Sequence, residues 1–95
     1  MTLISTARAA IERPERWAKQ LVSHLGHKAE VTETEQGSKL TLTVGVGLVS
    51  VADGCVVLEA EAPDEESLAK VEIVLGGHLE RFAHEHEIKV IWTRG

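Results

Sequence analysis

Five histidines are the residues best suited to chemistry in this chain, and three of them fall near a helix end or inside a helix. His24 and His27 lie in "HLGHK", residues 24–28, and His78 opens "HLERF", residues 78–82. Three imidazole nitrogens around an open position would suit zinc or another divalent transition metal. The same residues could instead cap helices or transfer protons, because imidazole titrates near neutrality and a helix C-terminus favours its charged form. His24, His27 and His78 are therefore candidate ligand-binding residues, with Arg81 of the same stretch beside them. A metal site on the three histidines is the alternative. The leading expectation is no bound metal, since the nearest carboxylate, Glu80, is two residues from His78 and should point off its apolar face. His84 and His86, in "HEH" between Glu85 and Glu87, read as a solvated helix end.

Other catalytic patterns are missing from the sequence. Cys55 follows an Asp-Gly turn, lacks the helix N-terminus or neighbouring cation that activates a thiol, and reads as a packed residue. Gly45 and Gly47 continue into "LVSV" rather than into a helix, so they do not form a phosphate loop. No cofactor is expected, and an enzyme is disfavoured. Net charge is −5, against the basic field that nucleic acid requires. Its distribution is uneven. Residues 1–28 carry five basic side chains (Arg8, Arg13, Arg16, Lys19, Lys28) against Glu12 and Glu15, whereas residues 29–95 carry thirteen acidic and five basic ones. The asymmetry could pair two copies of the chain or attract a charged partner.

These residues need elements to hold them. Ninety-five residues make one domain, 1–95, with one core. No apolar run reaches the ~20 residues that a bilayer requires. The start lacks the charged and apolar regions of a signal peptide. One cysteine fits a reducing cytosol, and the expected location is cytoplasmic.

"ISTARAAI", 4–11, alternates weakly and reads as a first strand. A helix follows over 14–25, with Pro14 in its first turn and Trp17, Leu21, His24 and Leu25 on one face. Gly26 should end it in the left-handed conformation, with Lys28 near the negative end. Residues 30–61 switch to period two. They give two strands around Gly37-Ser38, the second carrying Leu40, Leu42 and Val44 on one side, and two more around Asp53-Gly54, a strong hairpin signal. In the last, Val56, Leu58 and Ala60 share a side. A second helix over 64–84 starts on Asp64 as cap. Its apolar stripe is Leu68, Val71, Leu75, His78, Leu79 and Phe82. Gly76-Gly77 inside it implies close packing against another backbone or a kink. "IKVIW", 88–92, reads as the last strand. The order β-α-β-β-β-β-α-β implies an α+β two-layer sandwich, two helices packed on one face of a mostly antiparallel sheet. Val49, Val57 and Thr43 are expected on the uncovered face, where a homodimer could form.

The stretches "TARAAIERPERWAKQLVSHLGHK" and "GGHLERFAHEHEIKVIW" resemble the bacterial domain of unknown function 2218 over nearly the whole chain. The resemblance is carried by a Pro-containing first helix ending in His24-x-x-His27-Lys28, by His78 to Phe82, and by Trp92-Thr93. Leu25 stands where members usually have an aromatic residue, and His84 where they often have phenylalanine. The second departure argues against His84 as a general ligand. The resemblance implies no established activity. Some members are encoded beside, or joined to, proteins of siderophore-iron use, which implies an iron-linked accessory role. The function expected is a small cytosolic non-enzymatic binding module, with a protein or small-molecule partner.

Overall fold

A computed structural model describes residues 2–27, 29–82 and 90–94, with Phe82 described in its backbone alone. The chain runs β1 (Leu3–Ala10), α1 (Pro14–Leu25), β2 (Glu30–Thr34), β3 (Gly37–Thr41), β4 (Val46–Ala52), β5 (Cys55–Ala62), α2 (Glu65–Glu72), a π-helical turn (Ile73–Gly77), α3 (His78–Phe82) and β6 (Trp92–Arg94). The six strands form one sheet in the order β2-β3-β4-β5-β1-β6, and every neighbouring pair is antiparallel. The fold is thus α+β with the expected order. The weakly patterned first segment is an inner strand, bonded to β5 along its length and to β6 on its other side.

Alternation decides which side of the sheet is covered. Ser5, Ala7 and Ala9 of β1 lie opposite Ala60, Leu58 and Val56 of β5, and all six are buried. Gly47 and Val49 of β4 continue this face to Leu40 of β3. Small residues at Ala7, Ala9 and Ala60 let the helices approach, and Leu21, Leu25, Leu68, Val71, Leu75 and Leu79 fill the interface. The open side carries Ile4, Thr6 and Arg8 with Val57, Glu59 and Glu61. Val49 is 3% exposed on the covered side, and Thr43 lies in a turn, so of the three residues expected on the uncovered face only Val57 is there. Cys55 is half-buried on that open side rather than packed in the core, its Sγ 3.7 Å from the Asp53 carbonyl.

The hairpins follow local chemistry. Asp53 and Gly54 both take positive φ, 51° and 74°, as a type I′ turn requires. The first hairpin turns at Glu35-Gln36, not at Gly37-Ser38, and Gly37 opens β3 with φ 142°. The β3 strand ends at Thr41. Leu42, Thr43, Val44 and Gly45 form the next turn, closed by the Leu42 N–H on the Gly45 carbonyl at 2.8 Å. Leu42 and Val44 still pack against the core from that turn.

Helix ends show two departures. Gly26 stays right-handed (φ −60°). A side chain there would come within 3.2 Å of the Val22 carbonyl and 3.4 Å of Val31, so close approach explains the glycine. Arg13, ahead of Pro14, is left-handed (φ 57°, ψ 55°), and its carbonyl accepts Arg16 N–H at 3.0 Å. A left-handed non-glycine residue costs about 1–2 kcal/mol, partly offset because glycine is freer when unfolded. Arg13→Gly is therefore expected to raise stability by up to about 1 kcal/mol, read from urea unfolding at constant slope.

The second helix opens as expected, with Asp64 Oδ1 accepting the Ser67 N–H at 2.7 Å. That bond, and one from the Ser67 hydroxyl, hold the Asp64 carboxyl below its ordinary pKa. The helix then widens into a π-turn over Ile73–Gly77. Gly76 is glycine because a side chain would come 2.9 Å from the Trp92 indole nitrogen and 3.2 Å from Val90; the close partners are side chains, not backbone. Strand pairing at β6 begins at Trp92, so Val90 and Ile91 precede it. Residues 83–84 of the expected helix, 88–89 of the expected strand, the "HEH" segment, Lys28 and the Phe82 side chain lie outside the described residues.

One polar cluster ties β6 to the helices. Arg94 donates to both carboxylate oxygens of Glu72, Nη2 at 2.9 Å and Nε at 3.3 Å. Arg94, with a smaller contribution from Ser5, holds the Glu72 carboxyl below its ordinary pKa, and Glu72 raises that of Arg94. A carboxyl depressed in the folded state stabilises the fold fully above its unfolded pKa, near 4.3. That contribution is lost as pH falls through the lower folded value. Urea midpoints measured from neutral to acidic pH should fall less steeply in Glu72→Gln than in the parent below about pH 4.5.

Candidate functional site

Helix α1 divides its surface four ways. Pro14, Ala18, Leu21 and Leu25 are buried on the sheet. His24 lies on the flank toward α3, where it meets His78. On the opposite flank, Ala18 and Val22 meet Val31, Val49 and Val51 in a groove of ≈510 Å³ between the helix and the β2–β4 part of the sheet. The Glu33 carboxylate accepts the Ser38 hydroxyl at 2.8 Å on the groove's strand side. The outward face forms an open groove lined by Arg16, Lys19, Gln20, Ser23, His24 and His27. None of these described lining residues is a carboxylate, although the chain is acidic overall.

The three candidate histidines part company here. His24 and His78 meet, with ring centroids 5.0 Å apart and planes inclined by 44°. His24 is exposed and His78 half-buried. His27 is exposed and lines the outward groove with His24. Among the described residues no group of three or more His, Cys, Asp or Glu side chains could hold a metal, so the three-histidine alternative is not assembled. Arg81 is exposed on α3.

The π-turn sets the His78 ring. The His78 N–H turns to the Leu75 carbonyl, and the ring Nδ1 lies 2.6 Å from the Val74 carbonyl oxygen. A carbonyl can only accept, so Nδ1 is the donor in this bond. Glu80, expected to point off the apolar face of its helix, is half-buried, and its Oε2 accepts the Val90 N–H at 3.0 Å, fixing the approach to β6.

Sequence reasoning placed Arg16 and Lys19 in the basic section of the chain but did not gather them, or Gln20, into one groove with His24 and His27. The signal was there. Arg16, Lys19, Gln20, Ser23 and His27 recur at spacings of three and four, one helix face, within the one basic section of the chain.

The model of a family described as an uncharacterised protein conserved in bacteria (DUF2218) matches residues 6–93. Nine chains of solved structures match as well. One is the NMR structure of PA4090 from Pseudomonas aeruginosa, with a TM-score of 0.77, 27% sequence identity, and coverage of 96% of this chain and 95% of that one. No curated protein matches the chain. No helix among the described residues is long and apolar enough to cross a membrane. With its matched span running from the middle of β1 into β6, the chain belongs to the DUF2218 family.

Proposed function

We propose that the chain is a small non-enzymatic binding module, acting in the cytosol, that docks an anionic partner on the outward face of α1. The observation that carries this reading is the groove of Arg16, Lys19, His24 and His27 with no carboxylate among its described lining residues. In a chain of net charge −5, such a surface is a local reversal of field. Reversals of this kind speed and orient the encounter with an oppositely charged surface. The groove is open, which fits an acidic protein segment better than an enclosed metabolite. Proximity of family members to proteins of siderophore-iron use makes an acidic surface on such a protein the partner to test first; that link rests on the resemblance alone.

A deca-glutamate peptide is a suitable probe. Titrated into the labelled protein at low salt, it should move amide resonances of residues 16–27 and few others. Added salt and the Arg16→Glu/Lys19→Glu variant should both abolish the effect. Shifts spread over the open sheet face, or no shifts at all, would rule the reading out.

A second reading concerns that sheet face. Ile4, opposite Glu61, is 39% exposed, and Val57, opposite Arg8 and four residues from Glu61 along β5, is half-buried. Across β4, Leu48 pairs with Lys39 on one side and with Glu59 on the other. Both signs of charge thus flank an apolar strip, as a self-complementary twofold interface needs. We propose a homodimer through this face. Sedimentation at micromolar concentration should give twice the chain mass, and Leu48→Asp should give the monomer. A monomer in the parent protein refutes it.

A further inference from the structure

We propose that the groove between α1 and the β2–β4 part of the sheet binds a small apolar amine, its body on the valine floor and its ammonium group on Glu33. This inference is independent of the anion-docking reading. It calls for the opposite sign of charge, it uses the strand-side wall, and Arg16, His24 and His27 do not line this groove.

Packing is the first support. Elsewhere under α1 leucines fill the interface, and Leu21, Leu25 and Leu40 are each at most 1% exposed. Along the groove the facing positions are smaller. Ala18 and Val22 stand one turn apart on the helix, and Val49 and Val51 two residues apart on β4, with Ser38 of β3 directly opposite Val49. Well-packed interiors leave few voids larger than a water molecule. A space of ≈510 Å³ between these side chains is therefore a built opening. Small-molecule sites typically enclose about 300–1,000 Å³ and are mostly apolar with a few polar groups.

The exposed valine is the second. Val31 of β2 borders the groove and is 36% exposed. The helix closes in at this side: a side chain on Gly26 would stand 3.4 Å from Val31 Cγ2. A ligand seated here covers Val31 together with the half-buried Val22 and Val51, and removing that apolar surface from water favours binding.

Charge decides the class. Glu15 and Lys19 belong to the helix wall, four residues apart with the carboxylate first, an arrangement in which their charges offset each other. Glu33 is the one charge among the described residues of the strand wall. It stands opposite Ser38 in the β2–β3 pair, and the Ser38 hydroxyl donates to it at 2.8 Å. That bond holds the carboxylate at the groove and leaves most of its acceptor positions for a donor. An ammonium group supplies three donors and the matching charge, whereas a hydroxyl supplies one donor and no charge. A carboxylate on the ligand would meet Glu33 as a like charge.

The test uses the full chain, isotope-labelled, with phenethylamine hydrochloride at neutral pH and low salt. Amide resonances of residues 18–22, 31–33 and 49–51 should move together along one saturable curve, with a Kd on the order of 1 mM for so small a ligand. Phenethyl alcohol, the same body with a neutral head, should bind about three- to tenfold more weakly, and phenylacetate more weakly than the amine by at least as much. Glu33→Gln keeps an acceptor for Ser38 at an exposed position and should abolish the preference for amine over alcohol. The alcohol affinity of that variant, unchanged, reports that the groove is still folded. Arg16→Gln, on the outward face, should leave the amine affinity within about twofold, so this site and the anion face can fail separately. Equal binding of amine and alcohol by the parent, a preference that survives Glu33→Gln, or the absence of saturable shifts at residues 31–33 and 49–51 overturns the proposal.

Discussion

Leu75→Ala should lower stability by about 2–5 kcal/mol, read as a reduced urea midpoint with an unchanged slope. Leu75 is fully buried at the π-turn. It lies over Gly47 of β4, where a side chain would come 2.8 Å from its Cδ1 and 3.0 Å from its Cδ2. Truncation removes apolar contact and leaves a hole that a sheet on one side and a constrained helix on the other cannot close. The same contact gives a coupled test. Gly47→Ala alone should cost about 1–3 kcal/mol by overpacking. In the Leu75→Ala background it should cost far less, because the added methyl enters the vacated space. Simple additivity of the two losses would mean that the residues do not share that space.

Gly45→Ala should cost about 3 kcal/mol, at the upper end for overpacking. Its added carbon would collide with the Glu61 carbonyl oxygen, and would also stand 2.9 Å from Val71 Cγ2 and 3.1 Å from Ala62 Cβ. A side chain can swing aside, but the Glu61 carbonyl belongs to β5, whose backbone is bonded into the sheet on both sides. Val71→Ala should therefore fail to rescue Gly45→Ala. Full rescue, measured by thermal or urea unfolding, would place the obstruction in Val71 instead.

These contacts indicate which parts of the molecule were legible from residue order. Wherever the determinant was local, the pattern was readable. Asp53-Gly54 needs only its own backbone preferences to turn, and Asp64 needs only the amide three residues on. Side-chain alternation placed Val56, Leu58 and Ala60 together because it follows from strand geometry alone. Non-local determinants escaped. Leu42 and Val44 continue an apolar alternation, yet the strand stops at Thr41 because Gly45 must pass close to Glu61 of β5. Gly76-Gly77 announced an irregularity but not its form, which depends on Trp92 and Val90 packing from beyond the helix. The choice between Val49 and Val57 as the buried one is set by register across the sheet, and both look alike in isolation.

The candidate site divides along the same line. The stripe positions of His24 and His78 on two helices over one sheet foretold their meeting. Placing His27 with them ignored its position past the last turn of α1, three residues on and about 60° round toward solvent. The basic section was legible as composition but not as a groove, because its shape depends on which face of α1 packs on the sheet.

The strand order has a consequence for how the molecule forms. Strands β2 to β5 can pair as each follows the last, through turns of a few residues. Strand β1, made first, finds its partners only in β5 and β6, with Ala7 opposite Leu58 and Trp92. During synthesis it must therefore wait, unpaired, until most of the chain has emerged. Closing so long a loop is slow, and high contact order retards folding. A waiting strand with both edges open is the segment most exposed to wrong pairing with another chain. Its sequence answers this hazard: Ala7, Ala9 and Ala10 are poor strand formers, and Arg8 places a charge among them. The weak alternation that made β1 hard to recognise is thus a safeguard during the interval before its partners arrive.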